Sequence, residues 1–92
     1  MMTEYESLFA LNLQQKLKMQ IIGKIYVKIT KNDEILVKIE NENEGIEFKT
    51  FSGNFAERMR NGLSSDYAAY EILQQYRSYI QGIIEERFFY NK

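Results

Sequence analysis

Between Lys24 and Phe48 three runs of apolar residues repeat on every second position, and on either side of that stretch apolar residues recur three and four apart. A chain whose hydrophobic period changes from helical to two and back again can bury both patterns by laying helices on one face of a sheet. The alternating runs are Ile25, Val27 and Ile29, then Ile35, Val37 and Ile39, then Ile46 and Phe48. Lys24, Tyr26, Lys28 and Lys38 fill intervening positions, so the sheet has one apolar face and one wet face. Polar residues 30–34 separate the first two runs, and Asn32 and Asp33 tolerate the left-handed positions of a turn. Residues 41–45 separate the next two, with Gly45 suited to a bulged or longer hairpin. Two successive hairpins make a three-stranded antiparallel meander.

The flanking segments read as helices. Thr3 and Glu6 stand at capping-box spacing, and Tyr5, Leu8, Phe9, Leu13 and Leu17 follow on one stripe, which predicts a helix over 4–19. Lys16 and Lys18 lie near its end, where the helix dipole favours cations. After the third strand, Asn54 or Ser52 can cap a short helix running to Arg60, with Phe55 and Met59 as its apolar side and Asn61-Gly62 as its stop. Ser64 or Ser65 then caps a long helix reaching about Phe88. Its stripe is Ala69, Ile72, Leu73, Tyr76, Ile80, Ile83 and Ile84. Gly82 inside that stripe predicts a close packing contact or a bend. The expectation is a single α+β domain over 1–92, ordered αβββαα. Phe9, Leu13 and Leu17 of the first helix, and Ile72, Leu73, Tyr76 and Ile80 of the last, should cover the sheet.

Composition then removes whole classes of chemistry. With no cysteine and no histidine, the chain lacks disulfides, thiolate metal sites and the commonest general base. Its serines have no partner to activate them. The five glycines are scattered singly, so no phosphate-cradling loop is present. Glu85 and Glu86 are neighbours on a helix and point different ways. We therefore expect a non-enzymatic protein with no catalytic residue, no cofactor and no metal. A net charge of −1 gives no global field toward nucleic acid or an anionic membrane. The apolar runs are too short to span a bilayer, and the acidic start is unlike a signal peptide, so a cytoplasmic protein is expected.

Binding is the remaining class. Seven tyrosines and six phenylalanines exceed what one small core requires. Tyr70, Gln74, Arg77 and Gln81 follow by fours and threes along one side of the long helix, and tyrosine and arginine are enriched where proteins meet. Tyr70, Gln74 and Arg77 are the candidate partner-binding residues, with tyrosine rings that merely cover the core edge as the alternative. Arg58, Arg60 and Arg77 form a basic patch if the last two helices pack together. Phe88, Phe89 and Tyr90 are consecutive, so at least one must meet a loop, the sheet or another subunit.

The second candidate is the acidic stretch Glu40, Glu42, Glu44 and Glu47 around Gly45. Its spacing echoes half of an EF-hand loop but lacks the closing glutamate, since Phe51 stands there, and it joins strands rather than helices. It reads as a solvated hairpin tip, with Glu42 and Glu44 as a contact loop for a basic partner in the sharper reading.

The order of one helix, three antiparallel strands, a short helix and a longer helix resembles one family of small phage-encoded anti-CRISPR proteins, inhibitors of a CRISPR nuclease. The acidic, asparagine-rich hairpin, the phenylalanine-bearing short helix, Asn61-Gly62, and Tyr67 and Glu71 on the next helix carry the local likeness. Those inhibitors are strongly acidic, whereas this chain is nearly neutral, so only Glu40, Glu42, Glu44 and Glu47 could serve the same end. The wealth of isoleucine, lysine, asparagine and glutamate is similar to that of short accessory proteins of phages and mobile elements in low-GC bacteria. The expectation is a protein-binding accessory or regulatory module. A homodimer formed through the aromatic surface is one alternative, and a single-stranded nucleic-acid binder, disfavoured by the net charge, is another.

Overall fold

The structure, a computed structural model, describes residues 3–90. Its elements are α1 (Glu4–Lys18), β1 (Lys24–Ile29), β2 (Ile35–Asn41), β3 (Ile46–Ser52), α2 (Phe55–Arg60) and α3 (Ser65–Tyr90). The strands pair antiparallel in the order β1-β2-β3, with Ile25 opposite Ile39 and Ile39 opposite Phe48. That register is the one the alternation predicts. Every apolar member of the three runs points to one face, where all but Val27 are buried and Val27 is half-buried. Leu13, Leu17, Val37 and Ile39 are fully sequestered, at 0% exposure.

The helices cover that single face. Phe9, Leu13 and Leu17 of α1 and Ala69, Ile72, Leu73 and Tyr76 of α3 share one core with the strands. Phe55 of α2 closes one end, its ring set edge-on against Phe9 at 5.0 Å. The capping box forms at Thr3 and Glu6, and Ser64 caps α3 by accepting from the Tyr67 amide at 3.1 Å. Gly62, at φ +90°, ends α2 while the Leu63 amide reaches back to the Arg58 carbonyl, a left-handed C-terminal closure. Gly23 has a different task. At φ +148° it passes so close to β2 that a Cβ there would stand 2.6 Å from the Glu40 carbonyl oxygen.

Four expectations are corrected. Neither Asn54 nor Ser52 caps α2. Asn54 is itself left-handed and makes no side-chain cap bond, and the Ser52 hydroxyl accepts from Arg58 instead. The cap comes from Asp33 in the β1–β2 turn, whose carboxylate accepts from the Ala56 amide at 2.8 Å. Tyr5 and Leu8 lie outside the core, at 61% and 54% exposure. Leu8 stands five residues before Leu13, about 140° round the helix, and Ala10 takes the inward position in its place. A Cβ added at Gly82 would meet nothing within 4 Å beyond its own helix, so no close packing contact requires glycine there. The α3 stripe also ends earlier than predicted: Ile80 is only partly buried and Ile84 is 54% exposed. A helix of 26 residues is about 39 Å long at 1.5 Å per residue, while a seven-residue strand spans about 23 Å. The last turns of α3 therefore outrun the sheet, in a molecule measuring 50 × 22 × 21 Å.

Candidate functional site: the groove between the two long helices

Side-chain bonds set α3 alongside β3, in the opposite direction. The Thr50 hydroxyl donates to Gln75 at 2.6 Å, the Tyr79 hydroxyl to the Glu47 carbonyl at 2.9 Å, and Arg87 to the Glu44 carbonyl at 3.1 Å. Phe48 receives Tyr76 and Tyr79 on its ring at 5.6 and 5.3 Å. With that side of α3 committed to the sheet, its opposite edge faces away. Tyr70, Gln74 and Arg77 are all exposed there, on one side of the helix as the spacing predicts.

Tyr70 and Arg77 border a groove, and Gln74 stands outside its lining. Its first section, of about 380 Å³, is lined by Lys16, Met19, Gln20, Tyr70, Leu73 and Arg77 among others. Its second, of about 500 Å³, shares Gln20, Leu73 and Arg77 with the first and runs on to Ile22, Ile80 and Asn41. The Lys16–Asp66 ion pair, at 2.6 Å, closes the far end. Arg77 takes part in no ion pair or hydrogen bond among the described residues, so its guanidinium fork is open to a ligand. Met19 and Ile22, at 84% and 81% exposure, flank the floor. The groove thus joins exposed aliphatic groups, an aromatic ring, an amide and an uncommitted cation. That mixture is typical of protein contacts.

Sequence reasoning missed Met19 and Ile22. A signal was present: Ile21 and Ile22 are adjacent between a helix and a strand, and adjacent residues in extended chain face opposite ways. Ile21 is buried, so Ile22 is turned out.

The acidic candidates sit elsewhere. Glu42 and Glu44 are exposed on the β2–β3 hairpin, beyond Asn41 at the second end of the groove. Much of the hairpin's charge is met by lysines of β1 and β2. Lys24 binds Glu42 at 2.8 Å, and Lys38 binds Glu40 at 2.8 Å and Glu47 at 3.8 Å. The hydrogen bond from Lys38 lowers the Glu40 pKa, and its partners Glu40 and Glu47 raise that of Lys38. Glu42 likewise raises the pKa of Lys24. Glu44 holds its place through the backbone, its amide donating to Asn41 and its carbonyl accepting from Arg87. Among the described residues, no cluster of three or more acidic side chains is placed to hold a metal ion.

The basic patch of Arg58, Arg60 and Arg77 does not form. Arg58 is engaged with Glu71 at 2.6 Å and Ser52 at 2.8 Å, tying α2 to α3 and β3. Glu71 and Arg77 stand about 120° apart round α3. Phe88 and Phe89 are both exposed and meet each other edge-on at 5.8 Å; the side chain of Tyr90 lies outside the described residues. Among the described residues no helix is long and apolar enough to cross a membrane. No family model, curated protein or solved structure matches the chain.

Proposed function

We propose that this chain is a non-enzymatic protein-binding module, an accessory or regulatory factor of a phage or mobile element, and that it engages its partner through the α1–α3 groove. The observation that carries the reading is the coexistence of exposed Tyr70, Gln20, Met19 and Ile22 with an unpaired Arg77 along one trough, with Gln74 exposed beside it on the same edge of α3. Exposed aliphatic and aromatic groups gathered along one trough with an arginine suit a contact surface. Composition and element order supply the mobile-element context. Glu42 and Glu44, lying past the end of the trough, extend the contact toward basic groups of the partner.

A photo-crosslinking amino acid placed at Gln74 tests this in cells of the native host. The reading expects one protein captured from Gln74 and none from Leu8, on the outer face of α1. Equal capture from both positions, or from neither, overturns it. Capture of a second copy of this chain would favour the homodimer instead.

A further inference from the structure

The face of the sheet that no helix covers carries its own pattern. From the register, Tyr26, Lys38 and Lys49 form one row across the strands, and Lys28, Leu36 and Phe51 form the next. Neighbouring strands are about 4.8 Å apart and successive rows about 7 Å apart. Tyr26 and Phe51 therefore occupy one diagonal of a block, about 12 Å apart by that geometry, and Lys28 and Lys49 occupy the other. Tyr26 and Phe51 are 51% and 55% exposed. Lys28 and Lys49 enter no ion pair among the described residues, whereas Lys24 and Lys38 are bound by glutamates. The carboxylates of Glu40, Glu42, Glu44 and Glu47 gather at the β2–β3 hairpin end, while at the other end Glu34, next to Leu36 on this face by the alternation, adds a single carboxylate, so the face is split into an acidic pole and a predominantly basic, aromatic half. A net charge of −1 for the whole chain hides that division.

We propose that this basic half of the open sheet binds a single-stranded polynucleotide. Two aromatic planes too far apart for one base to bridge suit two bases of one extended strand, and the lysines on the crossing diagonal meet its phosphates. Charge complementarity selects the occupant: an apolar or basic protein segment would leave Lys28 and Lys49 unmatched. The acidic pole repels the phosphates and fixes which end of the sheet the strand occupies. This surface is on the opposite side of the sheet from the groove, so it stands or falls separately from the protein-binding reading.

Fluorescence anisotropy with labelled single-stranded DNA and RNA of about 12 nucleotides, begun at about 50 mM salt, tests it on the full chain. Binding of either strand supports the proposal if Tyr26→Ala and Phe51→Ala each weaken it at least about fivefold. Tyr26→Phe should bind as the native chain does. Lys28→Gln with Lys49→Gln should lower the log–log salt slope by about 1.4, at about 0.7 for each phosphate no longer neutralised. Tyr67→Ala, on the helical side, serves as the unchanged control. No binding at low salt, duplex DNA bound equally well, or ring variants that bind as tightly as the native chain overturn the proposal. Polyglutamate bound with equal strength would also overturn it and point to an acidic protein segment. Thermal melts of each variant separate a damaged site from a damaged fold.

Discussion

Asp33 does two jobs at once, and substitution can separate them. It holds φ +60° in the β1–β2 turn, and it caps α2 from outside that helix. Its carboxylate accepts from the Ala56 amide at 2.8 Å and its carbonyl from the Phe55 amide at 3.0 Å. Asn54, in the position where a cap is expected, provides no side-chain bond. Replacing Asp33 by alanine removes the cap, which costs about 1 kcal/mol. It also leaves a residue poorly suited to the left-handed region, which costs about 1 kcal/mol more. Asp33→Gly loses the cap but accepts the backbone freely, so its net cost is about 1 kcal/mol or less. Asp33→Asn keeps both properties and should lie within about 0.5 kcal/mol of the native chain. In urea, with a slope of about 1 kcal/mol per molar, the midpoints should fall by about 2 M for alanine, about 1 M or less for glycine, and about 0.5 M or less for asparagine. Equal losses for alanine and glycine would refute the backbone part of the reasoning. An unchanged midpoint for alanine would refute the cap.

Gly82→Ala should stabilise the protein by up to about 1 kcal/mol, since a Cβ there meets open space. In a domain of this size that raises the melting temperature by about 4–8 °C; no rise in a calorimetric scan would mean that the helix needs glycine there. Leu13→Ala, at a site with 0% exposure, should cost about 3–5 kcal/mol, against about 1–2 kcal/mol for the partly buried Ile80→Ala. Equal costs in chemical denaturation would place the end of the core beyond Ile80. The Glu40 carboxyl, held below its ordinary 4.5 by the Lys38 hydrogen bond, should titrate below that value in carboxyl NMR and move up in Lys38→Met. Because the folded value is the depressed one, stability from this pair is present above the ordinary carboxylate range and is lost as pH falls through the lowered midpoint; an unmoved midpoint in Lys38→Met would contradict the assignment.

The sheet was legible because two constraints agreed: a period of two fixes the buried face, and a slip of one residue would have turned Lys24, Lys28 and Lys38 into the core. Thr3, Ser64 and Gly62 were equally readable because caps act within a few residues. Asp33 was not, since a side chain that caps a helix more than twenty positions onward leaves no local spacing to detect. The extent of the α3 core was hidden for a similar reason. A helical stripe says which side is apolar, but where burial stops depends on the length of the sheet beneath it. That Tyr70, Gln74 and Arg77 share one exposed helix edge was readable from periodicity alone. The other wall of the groove, Met19 at the C-cap of α1 and Ile22 in the connector beyond it, lies off any apolar stripe, and only the tertiary fold sets it opposite Tyr70 and Arg77. The open-face block was hidden because Tyr26, Lys28, Lys49 and Phe51 become neighbours only through the register.

The Tyr70–Arg77 edge, as proposed, is a contact surface with little part in folding. Affinity capture from the native host with the native chain and with Tyr70→Ala/Arg77→Ala, alongside thermal melts of both, tests it most directly. The account expects one protein retained in stoichiometric amount by the native chain and absent from the double variant, with melts that agree within about 2 °C, as for surface substitutions. A double variant that unfolds, or that retains the same protein undiminished, would contradict it, as would a native chain that retains none.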